Sequence, residues 1–414
     1  MELLYIDPGT GSMLFSVLIG ATATLYFLAR AIILKLKFLV SGKKGATDKS
    51  AHTYVIYNED KRYQNVFRPV LEAFERHGTE VSYFTSFKND EAFEAGYKFV
   101  KSEYIGEGNA AFARLNLLSA DIVLATTPGL GVYQWKRSKN VKHYAHILHS
   151  PGDATMYRLF GIDYFDSVLL TGEYYKDDVR YLEKARDLKE KDLTVVGCTY
   201  LDFYKERIEK IPAENNHEFT VLLSPSWGPN GLLSKYGERL LDPLLATGWK
   251  IIVRPHPQSK ISEVEMLERL SKKYEDNRNL IWDYETDNIY SMKKADIMIS
   301  DFSGIIYDYT FLCDKPVMYV NADTELILYD AYDVPGQKPW QVNAVKEFGI
   351  ELKEEQFPMI KEVIQNASDS EELARRRTKA RQTAWQFEGQ AGEKVYEFMT
   401  KKEQQLNFTS SSKQ

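Results

Sequence analysis

Short apolar runs alternate with segments of helical spacing along most of this chain. Residues 54–57, 81–84 and 121–124 are such runs in the first half, and residues 67–77 and 110–118 have the spacing of helices between them. Strand–helix alternation of this kind is typical of a parallel sheet that is covered by helices on both faces. The sequence therefore predicts an α/β protein.

The alternation occurs in two series, which are separated by a polar linker at residues 211–217. A chain of 414 residues is too long for one ordinary core, so at least two domains are expected. Two doubly wound sheets joined by a linker leave a cleft beyond the strand ends, where ligands bind. We predict a GT-B-like α/β fold, in which two Rossmann-like doubly wound domains face a cleft and an N-terminal membrane helix precedes them.

The predicted domain boundaries follow changes in composition. Residues 1–48 form an N-terminal membrane anchor and basic linker, residues 49–210 the first Rossmann-like domain, and residues 211–385 the second. Residues 386–414 form the end of a C-terminal helix and a tail. From residue 404 onward the tail has no apolar periodicity, which predicts disorder.

The membrane helix is predicted from residues 13–29, which are uncharged and mostly apolar. They span about 25 Å against about 30 Å for a bilayer core, and the flanking residues can extend the span. Lysine and arginine collect after the run, at residues 30–49, so the positive-inside rule predicts a single pass through the bacterial cytoplasmic membrane, with the rest of the chain facing the cytoplasm. A basic segment there would also bind anionic lipids. The alternative is a helix lying in the membrane interface, because residues 30–40 are basic and amphipathic.

Composition excludes several classes of function. The net charge of −6 disfavours a nucleic-acid-binding protein, which would usually be basic. Cys198 and Cys313 are the only cysteines, which excludes a disulfide framework and a cysteine-rich metal site. The chain has no Asp-x-Asp motif and no cluster of His and Cys at metal-ligand spacing, so neither a metal ion nor another cofactor is expected.

A candidate phosphate-binding turn follows residues 297–299, which read as a buried strand. This strand ends in Ser300 and Asp301, residues that favour helix N-caps, and the chain up to residue 312 can continue as a helix. Such a turn directs backbone N–H groups and the positive end of a helix dipole at one point, which suits a phosphate.

Two further candidates follow the apolar run at residues 251–253. Arg254 and His256 would stand at the same edge of the second sheet, because parallel strands end together there. In the first series, His149 follows an apolar run and precedes a Ser-Pro-Gly turn. The pattern predicts a diphosphate site at the strand ends, with His149 facing it from the first domain.

Four motifs, which follow one another along the chain in the order the family has, resemble those of the CDP-glycerol glycerophosphotransferase family, the teichoic-acid primase and polymerase type. They are Arg-Pro-His-Pro at 254–257, Ser-Asp-Phe-Ser-Gly at 300–304 followed by Tyr-Asp-Tyr at 307–309 and Lys-Pro at 315–316, Pro-Ser-Trp at 225–227, and the histidine at 149. The sequence departs from the family pattern at Ser150, where the family has Gly, at Gly228, where it has Arg, and at Gly304, where it has Ser. A family Pro-Arg pair is Thr199-Tyr200 here.

The resemblance implies a transferase that moves glycerophosphate, or a similar polyol-phosphate unit, from CDP-glycerol or a related CDP-polyol. The acceptor would be lipid-linked or a polymer in the synthesis of a teichoic-acid-like envelope polysaccharide. His149 would be the base in the acceptor domain, since histidine has the side-chain pKa closest to neutral pH. Its alternative role is to cap a neighbouring helix. His256 would donate a hydrogen bond to the diphosphate or protonate the leaving group.

The remaining site residues are expected in the donor domain. Arg254 would hold two phosphate oxygens, unless it is only a surface arginine in a rigid loop. Asp301 is expected to cap a helix or to orient a histidine, and Asp308 either holds the donor's hydroxyls or is a solvated helix residue. The other members of the predicted donor-binding set are Ser226, Ser300, Ser303 and Gly304.

Two other functions fit parts of the sequence. A nucleotide-sugar glycosyltransferase with the same fold is favoured by the departures at Thr199, Tyr200 and Gly228. An inactive membrane scaffold for envelope assembly is the alternative from another class. His149, Arg254, His256 and Ser303 all persist, however, which such a scaffold would not need.

Overall fold

The structure, a computed structural model, describes residues 51–411 except 153, 213–214, 302, 321–325 and 337–338, together with Thr22 and Tyr26. The predicted membrane helix at residues 13–29 and the basic stretch after it therefore lie outside the described residues, apart from those two positions. Within the described part, no helix combines the length and apolar character that crossing a membrane requires.

The first unit is built on a seven-stranded sheet with the order β3-β2-β1-β4-β5-β6-β7, and each neighbouring pair is parallel. Its strands are β1 His52–Asn58, β2 Val81–Thr85, β3 Val100–Tyr104, β4 Ser119–Ala125, β5 Asn140–Ile147, β6 Ser167–Leu170 and β7 Asp192–Val195. The strand order reverses between β1 and β4, and ligands of such sheets bind at the carboxyl ends of the strands beside this point.

The second unit has a six-stranded sheet with the order β10-β9-β8-β11-β12-β13, which is also parallel throughout. Its strands are β8 Thr220–Ser224, β9 Lys250–Val253, β10 Leu280–Trp282, β11 Ile297–Ser300, β12 Val317–Tyr319 and β13 Ile350–Glu351. Here the order reverses between β8 and β11. The predicted GT-B-like arrangement of two parallel α/β sheets is confirmed.

Helices cover both faces of each sheet. The α-helices are Gln64–Arg76, Asn109–Leu115, Lys176–Ala185, Thr199–Glu209, Leu232–Tyr236, Glu238–Ala246, Ser259–Ser262, Val264–Lys273, Ile289–Lys294, Ile305–Cys313, Trp340–Phe348, Ile360–Ser368, Glu371–Ala384 and Ala391–Ser411. Short 3-10 helices are Lys61–Tyr63, Glu91–Phe93, Ala154–Met156, Glu173–Tyr175, Asp330–Asp333 and Glu354–Met359.

Several strands are buried along their whole length because helices cover them from both sides. Each residue of β6, β8 and β11 is buried. On one face of the first sheet, Tyr57 and Trp135 pack edge to face with ring centroids 5.7 Å apart. This two-sided burial is why these strands appear in the sequence as unbroken apolar runs rather than as alternating patterns.

The two C-terminal helices connect the units. Ala384 and Trp385, at the end of Glu371–Ala384, belong to the core of the second unit, whereas Val395 and Met399 in Ala391–Ser411 belong to the core of the first. The chain between them passes close to the first unit: a Cβ at Gly197, whose φ is +89°, would lie 2.3 Å from the Gln386 carbonyl oxygen. Only glycine fits at that crossing.

Asp202 holds the crossing segment, residues 385–390, which connects these two helices. Its carboxylate accepts hydrogen bonds from the Trp385 indole N–H and from the backbone N–H groups of Gly389 and Ala391, each at 2.8 Å. The helix that begins at Ala391 then continues to Ser411. The prediction of disorder from residue 404 is therefore wrong for residues 404–411, which extend this helix.

Candidate active site

A cavity of about 390 Å³ lies between the two units, at the carboxyl ends of β5 and β11. The first unit contributes the stretch after β5, including His149 and Tyr157. The second contributes Asp301, Ser303 and Gly304, together with the helix Trp340–Phe348. The two halves approach closely, because a Cβ at Gly152 would lie 2.8 Å from the Gln341 side-chain oxygen.

His149 lies two residues after the end of β5 and lines the cavity. Its Nδ1 lies 3.2 Å from the Tyr157 hydroxyl and 3.5 Å from Thr126 Oγ1. Desolvation, reinforced by the positive charge of Arg62, lowers the pKa of His149 to about 4. The ring is therefore neutral at pH 7 and able to accept a proton. Its hydrogen bonds connect it to side chains, so the alternative role as a helix cap has no support among the described contacts.

Opposite His149 stands the beginning of the helix Ile305–Cys313. Gly304 is the N-cap of this helix, and Ser303, Gly304 and Ile306 line the cavity. The positive end of the helix dipole thus faces the same space as His149. The helix begins four residues later than Asp301, so the prediction that Ser300 and Asp301 cap it is wrong.

Asp301 instead holds the loop that follows β8. Its carboxylate is buried and accepts hydrogen bonds from the backbone N–H groups of Ser226 and Leu232, each at 3.0 Å. Ser226 is thus bound to Asp301 through its backbone. Desolvation lowers the pKa of His256, and the negative charge of Asp301 partly opposes this lowering.

His256 lies at the same edge of the second sheet, after β9, but outside the residues that line the cavity. The Gln258 backbone N–H donates to its Nδ1 at 3.1 Å. A neutral ring then carries its proton on Nε2, which makes His256 a hydrogen-bond donor. Desolvation lowers its pKa and favours this neutral form.

Arg254 does not face the cavity. Its guanidinium donates to Asp283 Oδ2 at 2.5 Å and to the backbone carbonyls of Glu285 at 2.6 Å and Thr286 at 3.2 Å. The Arg254 and Asp283 side chains are 14% and 11% exposed, so this is a nearly buried ion pair. The structure thus binds Arg254 to Asp283 and to the loop after β10, outside the cavity, and its predicted contact with the donor phosphates stays a prediction.

Two other predicted donor-binding residues are also outside the cavity. Ser300 is fully buried, and its hydroxyl donates to the Ser224 carbonyl oxygen at 2.5 Å, so it joins β11 to β8. Asp308 accepts a hydrogen bond from the Tyr200 hydroxyl at 3.3 Å, between the two units. Desolvation raises the pKa of Asp308 to about 7. It is thus neither a solvated helix residue nor part of the cavity wall.

Several lining residues were not among the predicted site residues. Tyr157 lies in an irregular stretch of the first unit, and Gln341 and Lys346 are on the helix Trp340–Phe348. Lys346 is the one lysine or arginine among the described residues that line the cavity. The sequence of residues 340–348 does not indicate that Lys346 lines a cavity, since a lysine on an amphipathic helix is ordinarily a solvated surface residue.

The fold and the cleft between two parallel α/β units define a GT-B-like protein. Residues 178–401, more than half of the chain, match the family described as CDP-glycerol:poly(glycerophosphate) glycerophosphotransferase. The chain belongs to this family and is an enzyme of the phosphotransferase class that moves substituted phosphate groups. No curated protein sequence matches it.

Solved structures share the fold at low sequence identity. A structure of the wall teichoic acid polymerase TagF has a TM-score of 0.58 and 14% identity, covering 91% of this chain and 98% of that one. A TagF structure from a CDPG soak has a TM-score of 0.57 at 14% identity, with coverage of 94% and 98%. A putative UDP-N-acetylglucosamine 2-epimerase from Listeria monocytogenes has a TM-score of 0.56 at 11% identity, with coverage of 84% and 95%. At these identities the similarity concerns the fold alone.

Proposed function

We propose that this protein transfers a glycerophosphate, or a similar polyol-phosphate unit, from a CDP-activated donor to a lipid-linked or polymer acceptor in the synthesis of a teichoic-acid-like polymer. The observation that carries the proposal is the cavity in which neutral His149 of one unit faces the first turn of the helix Ile305–Cys313 in the other. The family match over residues 178–401 supplies the reaction class.

In the proposed reaction, an acceptor hydroxyl attacks the phosphorus next to the polyol. The new P–O bond forms as the bond to the CMP phosphate oxygen breaks, and CMP leaves with that electron pair. His149 takes the proton of the attacking hydroxyl, which a neutral ring can do and an imidazolium cannot. Because proton transfer and phosphoryl transfer occur in one cavity, the acceptor has to enter beside His149.

The negative charge of the donor needs partners on the opposite wall. Ser303, the beginning of the helix Ile305–Cys313 and Lys346 line the cavity. A hydroxyl, the positive end of a helix and an ammonium group suit the two phosphates. His256 carries a proton on Nε2 when neutral and would stabilise the leaving phosphate once the donor spans the edge from β11 to β9. Arg254 has no role in this proposal because Asp283 binds its guanidinium.

We further propose that the enzyme acts at the cytoplasmic membrane. The support for this is the sequence alone: an uncharged apolar run at residues 13–29 and a basic segment after it, at residues 30–49. A lipid-linked acceptor and an anionic lipid surface would then be close to the cavity.

The test uses the full chain in liposomes that contain anionic lipid, with CDP-glycerol, CDP-ribitol and UDP-glucose in separate reactions. Release of CMP and growth of acceptor-linked product are measured for the wild type, His149→Gln, His256→Gln and the control His217→Gln. His217 is a matched control because it pairs with Asp296 on an exposed surface. We expect turnover with a cytidine donor, a loss of about 10²- to 10⁴-fold in kcat for His149→Gln, and full activity for His217→Gln.

Each other outcome has a definite meaning. Turnover with UDP-glucose and none with either cytidine donor would replace the proposal with a nucleotide-sugar glycosyltransferase. Wild-type activity in His149→Gln would remove His149 as the base. Donor binding is checked independently by thermal stability, since a ligand at a hundredfold excess over its Kd stabilises the protein by about 2.7 kcal/mol.

A further inference from the structure

Tyr157 connects two histidines of the first unit. Its hydroxyl oxygen lies 3.1 Å from His146 Nε2 and 3.2 Å from His149 Nδ1. The three side chains thus form a row that leads from the interior of the first sheet, where β5 carries His146, to the cavity wall, where His149 stands.

All three groups are held in their neutral forms. His146 is fully buried, and desolvation, with a smaller contribution from His149, lowers its pKa to about 3. Desolvation also raises the pKa of Tyr157, so its hydroxyl keeps its proton. Among the described residues, His146 Nδ1 has no hydrogen-bond partner, so Tyr157 is the group that the His146 ring can bind.

The hydrogens of this row can be placed in three ways, because the Tyr157 hydroxyl is also hydrogen-bonded to the Thr126 side chain. The Tyr157 hydroxyl has one hydrogen and lies between two ring nitrogens. In one arrangement Tyr157 donates to His149 Nδ1, and the proton of His149 is then on Nε2. In the second, Tyr157 donates to His146 Nε2 and accepts from the Nδ1–H of His149, which leaves a buried Nδ1–H of His146 without a partner. In the third, Tyr157 donates to Thr126 and accepts from His146 Nε2–H and His149 Nδ1–H, so that no ring N–H is left unpaired. The second and the third leave a lone pair on His149 Nε2, the nitrogen on the other edge of a ring that lines the cavity, and the third does so without an unpaired ring N–H.

We propose that Tyr157, supported by His146, is a positioning residue that holds His149 in the tautomer with its proton on Nδ1. This inference rests on the proposed role of His149 as the base of the transfer. The tautomer of a histidine is set by the hydrogen bond that its other nitrogen makes. Here a neutral oxygen takes the place of the carboxylate that orients many catalytic histidines, so the base becomes charged only while it holds the proton of the acceptor.

The other groups around His149 do not replace Tyr157 in this role. Thr126 Oγ1 is 3.5 Å from Nδ1, which is too far for a strong hydrogen bond. Tyr63 faces His149 through its ring, with centroids 5.1 Å apart. The charge of Arg62 disfavours the imidazolium and has no preference for either neutral tautomer.

The test measures the tautomer directly. The full chain is labelled with ¹⁵N-histidine, the His149 signals are assigned with His149→Gln, and the ring ¹⁵N shifts are recorded at pH 7. We expect Nδ1 of His149 to be protonated and Nε2 to be unprotonated in the wild type, and Tyr157→Phe to shift the ring towards the Nε2–H tautomer. The control Tyr63→Phe removes a hydroxyl from the other tyrosine beside the ring and should leave the tautomer unchanged.

Kinetics with the preferred CDP-activated donor complete the test. Tyr157→Phe should lower kcat by at least about tenfold with little change in the KM for the donor, since it removes proton transfer and not binding. A wild-type His149 with its proton on Nε2, a tautomer that Tyr157→Phe does not change, or an unchanged kcat in that variant would each overturn the proposal. Activity retained in His149→Gln would instead refute the proposed base, whatever the NMR spectrum shows.

Discussion

Asp330 joins the two units beside the cavity, and its loss should destabilise the protein strongly. Its side chain is fully buried. Oδ1 accepts hydrogen bonds from the Phe160 N–H at 2.7 Å and the Arg186 guanidinium at 2.8 Å, and Oδ2 accepts from the Gly161 N–H at 3.3 Å. Phe160 has a φ of +68°, a strained value for a bulky residue that this anchoring holds in place.

The magnitude follows from the groups that Asp330→Ala would leave behind. Removing one partner of a buried ion pair costs about 3–5 kcal/mol, because the other charge remains buried. Arg186 keeps Asp163, so the lower end of that range applies to the ion pair. The two backbone N–H groups lose a charged acceptor, which is worth about 1.5–3 kcal/mol for a good bond, but water can reach part of the vacated space. We expect a total loss of about 3–4 kcal/mol.

Asp333 offers a matched control. Its carboxylate also accepts from Arg186, at 2.7 Å, but its side chain is 39% exposed. Asp333→Ala should therefore cost less than about 1 kcal/mol. Urea denaturation gives the stability of each variant, and hydrogen exchange of a peptide that covers residues 157–163 reports the protection of the Phe160 and Gly161 amides. Equal losses in the two variants, with unchanged exchange at residue 160, would refute the reasoning.

Three further substitutions test other assignments. Asp308→Asn should stabilise the protein at pH 8 and have little effect at about pH 4. Desolvation raises the folded-state pKa of Asp308 to about 7, so the contribution of this carboxyl to wild-type stability falls as pH rises from about 4 to 7, by at most about 4 kcal/mol. Melting temperatures of the two proteins, measured across this range, would show no such difference if the carboxyl were freely solvated. Arg254→Ala should lower the free energy of unfolding by about 2–3 kcal/mol without raising the KM for the CDP-activated donor, because the guanidinium binds Asp283. A tenfold higher KM at unchanged stability would instead show that Arg254 binds the donor phosphates. Asp202→Ala should lower stability by about 3 kcal/mol in urea denaturation, since three N–H groups lose their acceptor, and a change under 1 kcal/mol would show that the crossing segment is held by packing alone.

The sheet architecture could be predicted because buried parallel strands leave a plain signal. Strands such as β8 and β11 are covered on both faces and therefore appear as apolar runs. The edge strand β3, with the sequence VKSEY, is half polar, and β13 has only two residues, so neither has that signal. The helix Ala391–Ser411 was predicted too short because part of what stabilises it, such as the contact of Tyr396 with Phe74, lies far away in the sequence.

For the site, the sequence indicated which strand ends meet but not where each side chain points. His149, Ser303 and Gly304 line one cavity as predicted, because the motif positions follow from strand ends at one edge. Arg254 lies outside this cavity, and nothing in its own motif reveals that Asp283 follows the neighbouring strand and binds the guanidinium. Tyr157 could not be found from the sequence, because its hydroxyl reaches two histidines only through the folded path of an irregular loop.

The crossing of the C-terminal helix has a consequence for biosynthesis. All strands of the first sheet have been translated by residue 195, but the helix that completes one face of its core begins only at Ala391. At 5–20 residues per second, the ribosome needs roughly 10–40 s to make the intervening segment. During this interval Phe74 lacks its contact with Tyr396, which has not yet been synthesised. The first unit therefore finishes folding last, although it leaves the ribosome first.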